Sequence, residues 1–376
     1  MSNNIRNIPF KAYLKNLIGK STKRKLVVFY VDDWGSVRTK DCYAIDYLKK
    51  KGIEIDKSRF CKYDTLANEK DLETLYGTLS STKDSKGNSA CFTAVMNPCN
   101  PDFESIKTNG YTAFVSEPFT KTLQKYGKGY EHAFELWKEG ISKNIFYPMF
   151  HGTEHVSRKK LMDALQEQYL PTLWAFECES VGIPTTNGYS VKNIMQPYCI
   201  EKSEENKELA RNIEWGLNQF ELIFGFRSRQ FKAGGDIISP ELYPTLAENG
   251  IEYMDEALYI KRHLGDERYK FFINYTGKRN SLGQKILVRN AVFEPTNDLN
   301  FDSVGHCLKL IDAAFKCKKP ALISSHRVNF VGGLDENNRK EGLSRLSLLL
   351  KAIVKQWPDV EFVNADQAGD IIYETI

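Results

Sequence analysis

At 376 residues the chain is long enough for one large α/β domain or two smaller ones. Its 41% apolar, 27% charged and 12% aromatic content is that of an ordinary globular protein, and a net charge of +4 is too small to argue for nucleic acid. Nothing approaches the roughly 18 apolar residues of a membrane span, and no secretory-type apolar run follows the start, so the sequence reads as cytoplasmic.

Residues 1–25 hold seven Lys or Arg and no acid. Within them Phe10, Leu14, Leu17 and Ile18 are spaced as one face of a helix. Such a helix either packs on its own domain or lies on an anionic membrane surface. Packing is the expectation, because amphipathic helices usually face a core; peripheral membrane contact through residues 1–25 is the alternative. Strand candidates then follow in order: KLVVFYV, SACFTAVM, GYTAFVS, NIFYPMF, QFKAG, IEYMD, KILVRNAVF, PALISSH and VEFVNA. Between several of them come helical patterns, RKKLMDALQEQ, SPELYPTLAENG and RLSLLLKAIVKQW, the second with Ser239 as N-cap and Gly250 just past its end. Strand–helix alternation predicts a parallel sheet or barrel in one domain. Residues 80–90 and 183–189 read as surface loops. The eight cysteines form no CxxC pair, so reduced thiols are expected rather than a zinc ribbon or disulfide staples.

No GxGxxG, GxxxxGK[ST] or GxSxG motif occurs, which leaves nucleotide cradles and a nucleophile elbow without support. What remains lies at the ends of predicted strands. The apolar run VVFYV leads straight into Asp32 and Asp33. Like charges this close resist joint ionisation, so the two acids either cap a turn or face something cationic. His151 and His155 stand four apart, a spacing that lets two imidazoles on one helical turn reach one metal ion. A third ligand is then needed, and Asp32 or Asp33 can supply it. The run ALISS ends on His326, a position where α/β proteins place catalytic groups. His132, His263 and His306 have no such context.

In this order the motifs resemble those of the polysaccharide deacetylase family, the NodB-homology group or carbohydrate esterase family 4. VDDWG (31–35) is similar to its TFDDG motif, HGTEHVSRKKLMD (151–163) to its H[ST]xxH motif, the segment 230–253 to its RxPYG stretch, and ISSHRVN (323–329) to its final LxH motif. The resemblance implies a distorted (β/α) barrel of about seven parallel strands over residues 26–376, behind the basic stretch 1–25 and with an insertion around 97–140. It implies a divalent metal, zinc first with cobalt, nickel or manganese as alternatives, held by Asp33, His151 and His155. Asp32 would be the general base, His326 the general acid, and an acetylated carbohydrate the substrate.

Two departures matter. Lys232 stands where the family has an Arg that orients the base, and Lys lacks Arg's planar fork, although Arg229 or Arg327 can compensate. Gly234 and Gly235 stand where the family has Pro-Tyr. Trp34, beside the acids, is either a sugar-stacking platform or a core residue, and Arg327 is a further candidate for substrate contact. Two other readings compete with deacetylation. One is a glycosidase using Asp32 with Glu177 or Glu294; the other is a barrel that binds glycan or a partner without turnover.

Overall fold

The computed structural model describes residues 10–184, 188 and 190–374, so part of the expected loop 183–189 lies outside the described residues. Its centre is a parallel sheet. The strands are β1 (Lys25–Trp34), β2 (Phe92–Met96), β5 (Phe146–Phe150), β6 (Gln230–Lys232), β7 (Tyr253–Asp255), β10 (Lys285–Leu287), β11 (Ala291–Val292), β12 (Ala321–His326) and β13 (Val360–Phe362). Two antiparallel hairpins stand apart from it: β3 (Cys99–Pro101) with β4 (Ser116–Pro118), and β8 (Tyr259–Gly265) with β9 (Arg268–Ile273). The sheet runs β10-β7-β6-β5-β2-β1-β12-β11, with β13 on the first residues of β1. The described residues thus give nine strands where the sequence suggested about seven.

The ends of this path, β10 and β11, are consecutive in sequence and separated only by Val288, Arg289 and Asn290. No ladder joins them among the described residues, yet so short a link holds them within about 14 Å, and the sheet therefore curls round to a seam. KILVRNAVF, expected as one strand, is broken here. GYTAFVS also departs from expectation: only Ser116 is in a strand, and that strand belongs to the small hairpin. Tyr111, at a φ of 62°, turns the chain before it. This hairpin and the helices Phe103–Thr108, Phe119–Tyr126 and Ala133–Ser142 occupy the long connection from β2 to β5.

Side chains alternate across the central strands, as the two-residue period of a strand requires. Leu26, Val28 and Tyr30 face an inner cluster with Val95, Met149, Tyr253, Leu287 and Leu322, closed at one end by Ala365, Ala368 and Ile372 of the last helix. Val27, Phe29 and Val31 face the outer cluster beneath the surrounding helices. Each such buried side chain contributes about 1.5–3 kcal/mol relative to exposure. Strands buried on both faces read as continuous apolar runs, which is why they were recognisable. Where the inner rows reach the carboxyl ends of the strands they turn polar, and Asp32, His151, Lys232, Asp255 and His326 gather there.

Candidate active site

Alternation alone would send Asp32 and Asp33 to opposite faces. The β1–β2 register shifts between Val31 and Trp34, and Asp33 has a φ of 76°. An irregularity of this kind re-aims a side chain at the end of a strand. Gly35, at a φ of 76°, lets the chain leave, because a Cβ there would stand 2.4 Å from the Asn97 carbonyl oxygen. Asp32 keeps its inward direction while Asp33 turns toward the two histidines.

Asp33 Oδ1 lies 2.9 Å from His155 Nε2 and 3.7 Å from His151 Nε2. One donor atom from each residue falls within 4.8 Å of the others, and all three side chains are buried. Ligands bonded tetrahedrally to one zinc-sized ion lie about 3.4 Å apart, so these separations bracket what such an ion needs. The His151 Nδ1–Lys232 carbonyl contact, 2.9 Å, fixes the tautomer that turns the Nε2 lone pair toward Asp33. His155 Nδ1 has no hydrogen-bond partner among the described residues. Burial favours the neutral form of His155 and lowers its pKa; burial opposes ionisation of Asp33, but the two imidazoles outweigh it and hold the carboxyl well below the usual range. The HGTEH segment is a loop, and the following helix, Arg158–Gln166, begins after its N-cap Ser157. Loop geometry, not the helical period, brings the imidazoles to a centroid distance of 5.1 Å.

Asp32 is gripped by a residue that the sequence did not single out. Arg289 Nη1 and Nη2 donate to the two Asp32 carboxylate oxygens at 2.7 Å each, and its Nε donates to Asp255 at 2.7 Å. The guanidinium lies over the Tyr30 ring at 4.9 Å, and all of this sits at the seam. Burial raises the Asp32 pKa, but the Arg289 charge and hydrogen bonds outweigh it and leave it lowered. Lys232, expected in this orienting role, has its Nζ on Asp236 and 4.0 Å from Asp255. Its contribution to the histidines is its backbone carbonyl. Arg229 is committed to Glu252 and Asp370.

His326 pairs in register with Asp32 on the adjacent strand, its Nε2 4.0 Å from Asp32 Oδ2. On its other side Nδ1 meets Glu294 Oε1 at 2.7 Å, and Glu294 also accepts from Asn329 Nδ2 at 2.8 Å and from Arg59. Burial lowers the imidazole pKa, but the Glu294 hydrogen bond and charge reverse this and push it up to about 9. We expect an NMR titration to show this midpoint, and Glu294→Gln to lower it by about a unit or more. An unchanged midpoint would mean that Glu294 does not hold the proton there.

Two expected substrate contacts are corrected. Trp34 is 1% exposed and packs against Phe146 and Trp137 at 4.7 and 6.1 Å, so it offers no face for stacking. Arg327 is fully buried, donating to Asp64 at 2.9 Å and to the Ser36 carbonyl at 2.8 Å. Of the carboxylates considered for a glycosidase, Glu177 is bonded to Tyr47 at the surface, and Glu294 is engaged by His326, Asn329 and Arg59. His132 precedes the Ala133–Ser142 helix as its N-cap residue, and the His263 side chain lies outside the described residues. His306 joins Lys232, Asp255, Arg289, Ala12 and Lys15 around a cavity of about 480 Å³. The amino-terminal helix therefore walls this cavity, which touches the Asp32 partner Arg289 but is lined by none of Asp32, Asp33, His151, His155 and His326. The apolar face expected to pack on the domain is turned outward instead: Leu14, Leu17 and Ile18 are 47%, 66% and 49% exposed, while Ala12 and Asn16 are buried. The Phe10 side chain lies outside the described residues.

No family model and no curated protein matches the chain. Among solved structures, a probable polysaccharide deacetylase from Pseudomonas aeruginosa aligns at 8% identity and a TM-score of 0.46, over 94% of this chain and 92% of that one. The Puue allantoinase aligns at 9% identity and a TM-score of 0.44, over 94% and 92%. The 4-alpha-glucanotransferase from Thermococcus litoralis aligns at 10% identity and a TM-score of 0.46, over 94% of this chain, which spans 41% of that protein's length. Polysaccharide and peptidoglycan deacetylases recur among the neighbours.

Proposed function

We propose that the protein is a metal-dependent hydrolase that removes acetyl groups from an N- or O-acetylated sugar or polysaccharide. The observation that carries this reading is the convergence of Asp33, His151 and His155 beside two separately supported groups, Asp32 on Arg289 and His326 on Glu294. An Asp-His-His set suits zinc, with cobalt, nickel or manganese as alternatives, and a cation held there supplies a Lewis acid for the acetyl carbonyl and the attacking water.

The chain's own groups divide the proton work. Asp32, ionised and oriented by the Arg289 fork, takes a proton from water as its oxygen bonds to the acetyl carbon. His326, protonated at neutral pH because Glu294 faces it, gives its proton to the departing nitrogen or oxygen as the carbon–heteroatom bond breaks. The products are acetate and a free amine or hydroxyl. The cavity beside Arg289 and Lys232 is the place we assign to the sugar. The eight cysteines, none of them joined in a disulfide, support a reducing compartment, and we place the reaction in the cytoplasm.

The test is metal analysis of the purified protein together with acetate release from chitin-type oligomers and O-acetylated xylan. About one equivalent of divalent metal and acetate formation abolished by chelation are expected. Reducing-sugar release without acetate, or a protein that takes up no metal, refutes the proposal.

A further inference from the structure

A second cavity, of about 430 Å³, opens among Pro240 and Pro244, the β8–β9 hairpin and the link from that hairpin to β10. None of its lining residues lines the cavity at Arg289. Its size is that of a small-molecule site, and such sites combine apolar walls with a few placed polar groups. The apolar walls here are Pro240, Pro244, Phe272 and Leu282. The charged lining residues are Arg262, Lys278 and Arg279, and no carboxylate joins them.

The three cations are not equally free. Arg262, on β8, is buried, its guanidinium carbon 4.8 and 4.1 Å from the ring centroids of Tyr243 and Phe272. Its Nη2 donates to the two Glu256 carboxylate oxygens at 3.2 and 2.9 Å, and Glu256 also accepts from Tyr243 Oη and Asn274 Nδ2. The Arg262 charge is therefore answered, and the residue is a fixed part of the wall. Lys278 is held by neutral oxygens: its Nζ donates to the Ile273 carbonyl at 2.8 Å and to Asn274 Oδ1 at 3.1 Å. Arg279 Nη1 donates to the Gly283 carbonyl at 3.0 Å, and its guanidinium lies 5.4 Å from the Tyr373 ring centroid. Among the described residues neither Lys278 nor Arg279 forms an ion pair, so two positive charges stand uncompensated at the cavity. An ammonium carries three N–H donors and a guanidinium five, so both side chains keep donors for a ligand.

We propose that this cavity binds a small phosphate monoester, with the phosphate on Lys278 and Arg279 and an apolar or ring-shaped body against Phe272 and Leu282. A phosphate monoester carries about −1.5 to −2 charges at neutral pH, which matches the two uncompensated cations. Charge-assisted hydrogen bonds from an ammonium and a guanidinium suit its oxygens. The inference rests on this cavity alone and is independent of the proposed deacetylation.

Titration calorimetry of the full chain with phenyl phosphate tests it, with benzyl alcohol, inorganic phosphate and benzoate as comparison probes. Phenyl phosphate is expected to bind saturably and more tightly than each of the three, which lack the anion, the body or the second charge. Lys278→Gln/Arg279→Gln keeps an amide donor at each position and is expected to weaken binding by about tenfold or more. Its melting temperature should stay near the wild type, because these side chains pair with no acid. Leu282→Asp, which sets a carboxylate in a half-exposed part of the wall, is expected to weaken binding as well. Asp33→Ala is expected to bind phenyl phosphate as the wild type does, which separates this cavity from the metal ligands. Any of four outcomes overturns the proposal: no saturable binding up to about 10 mM, benzoate bound as tightly as phenyl phosphate, binding that survives both cavity variants, or binding lost in Asp33→Ala.

Discussion

Arg289→Met is expected to lower the unfolding free energy by about 3–5 kcal/mol at neutral pH, because it strands two buried carboxylates, Asp32 and Asp255, without their shared cation. Their side chains are only 8% and 1% exposed, so water cannot replace the guanidinium. Lys232→Met should cost less: its close partner Asp236 is 49% exposed and can be solvated, and Asp255 lies 4.0 Å away. Urea unfolding of both variants measures the contrast. The pH dependence has a definite sign. Arg289 holds the Asp32 pKa below its usual value, so the associated stability is present above about pH 4 and is lost as the pH falls through the lowered folded value. The gap between wild type and Arg289→Met therefore narrows in acid. If Lys232→Met proves the more damaging change, the assignment of Arg289 as the partner of Asp32 is wrong.

The second large effect separates the two adjacent acids. Asp33→Ala and His155→Ala are expected to abolish stoichiometric metal, together with the stabilisation by added metal, about 2.7 kcal/mol at a hundredfold excess over the dissociation constant. Asp32→Asn is expected to retain both, since Asp32 faces Arg289 rather than the histidines, and to lose about 10²- to 10⁴-fold in acetate release. Metal titration followed by thermal melting reads the first difference without any substrate. Loss of metal in Asp32→Asn, or its retention in Asp33→Ala, would reverse the assigned division.

Much of the sheet was legible because its strands are buried on both sides and end abruptly in polar residues, as VVFYV does at Asp32. The convergence of Asp33 with two distant histidines was suggested by motif order, although a register shift and a loop achieve it rather than a helix. Arg289 was hidden inside KILVRNAVF, read as an unbroken strand. The available signal was a charge within an apolar run, which buried surroundings tolerate only with a partner. Trp34 and Arg327 were misplaced for a shared reason: residues next to site residues were assigned to the site, yet both sit in the interior. The β8–β9 hairpin went unread. Its exposed face carries Tyr259, Phe271 and Ile273, so the usual contrast of apolar inside and polar outside is missing.

The seam between β10 and β11 has a consequence for how this protein can change over generations. Ladder hydrogen bonds are made by the backbone and survive most substitutions, but at this seam the Arg289 side chain bridges Asp255 and Asp32 while the Asn290 amide ties the link to Pro320 and Leu322. The Arg289 side chain also aims the proposed base. A descendant therefore cannot trade turnover against integrity at position 289, because both are lost in one step. Lys232 and Asp236, freed from that duty, are where variation in the cavity wall can accumulate.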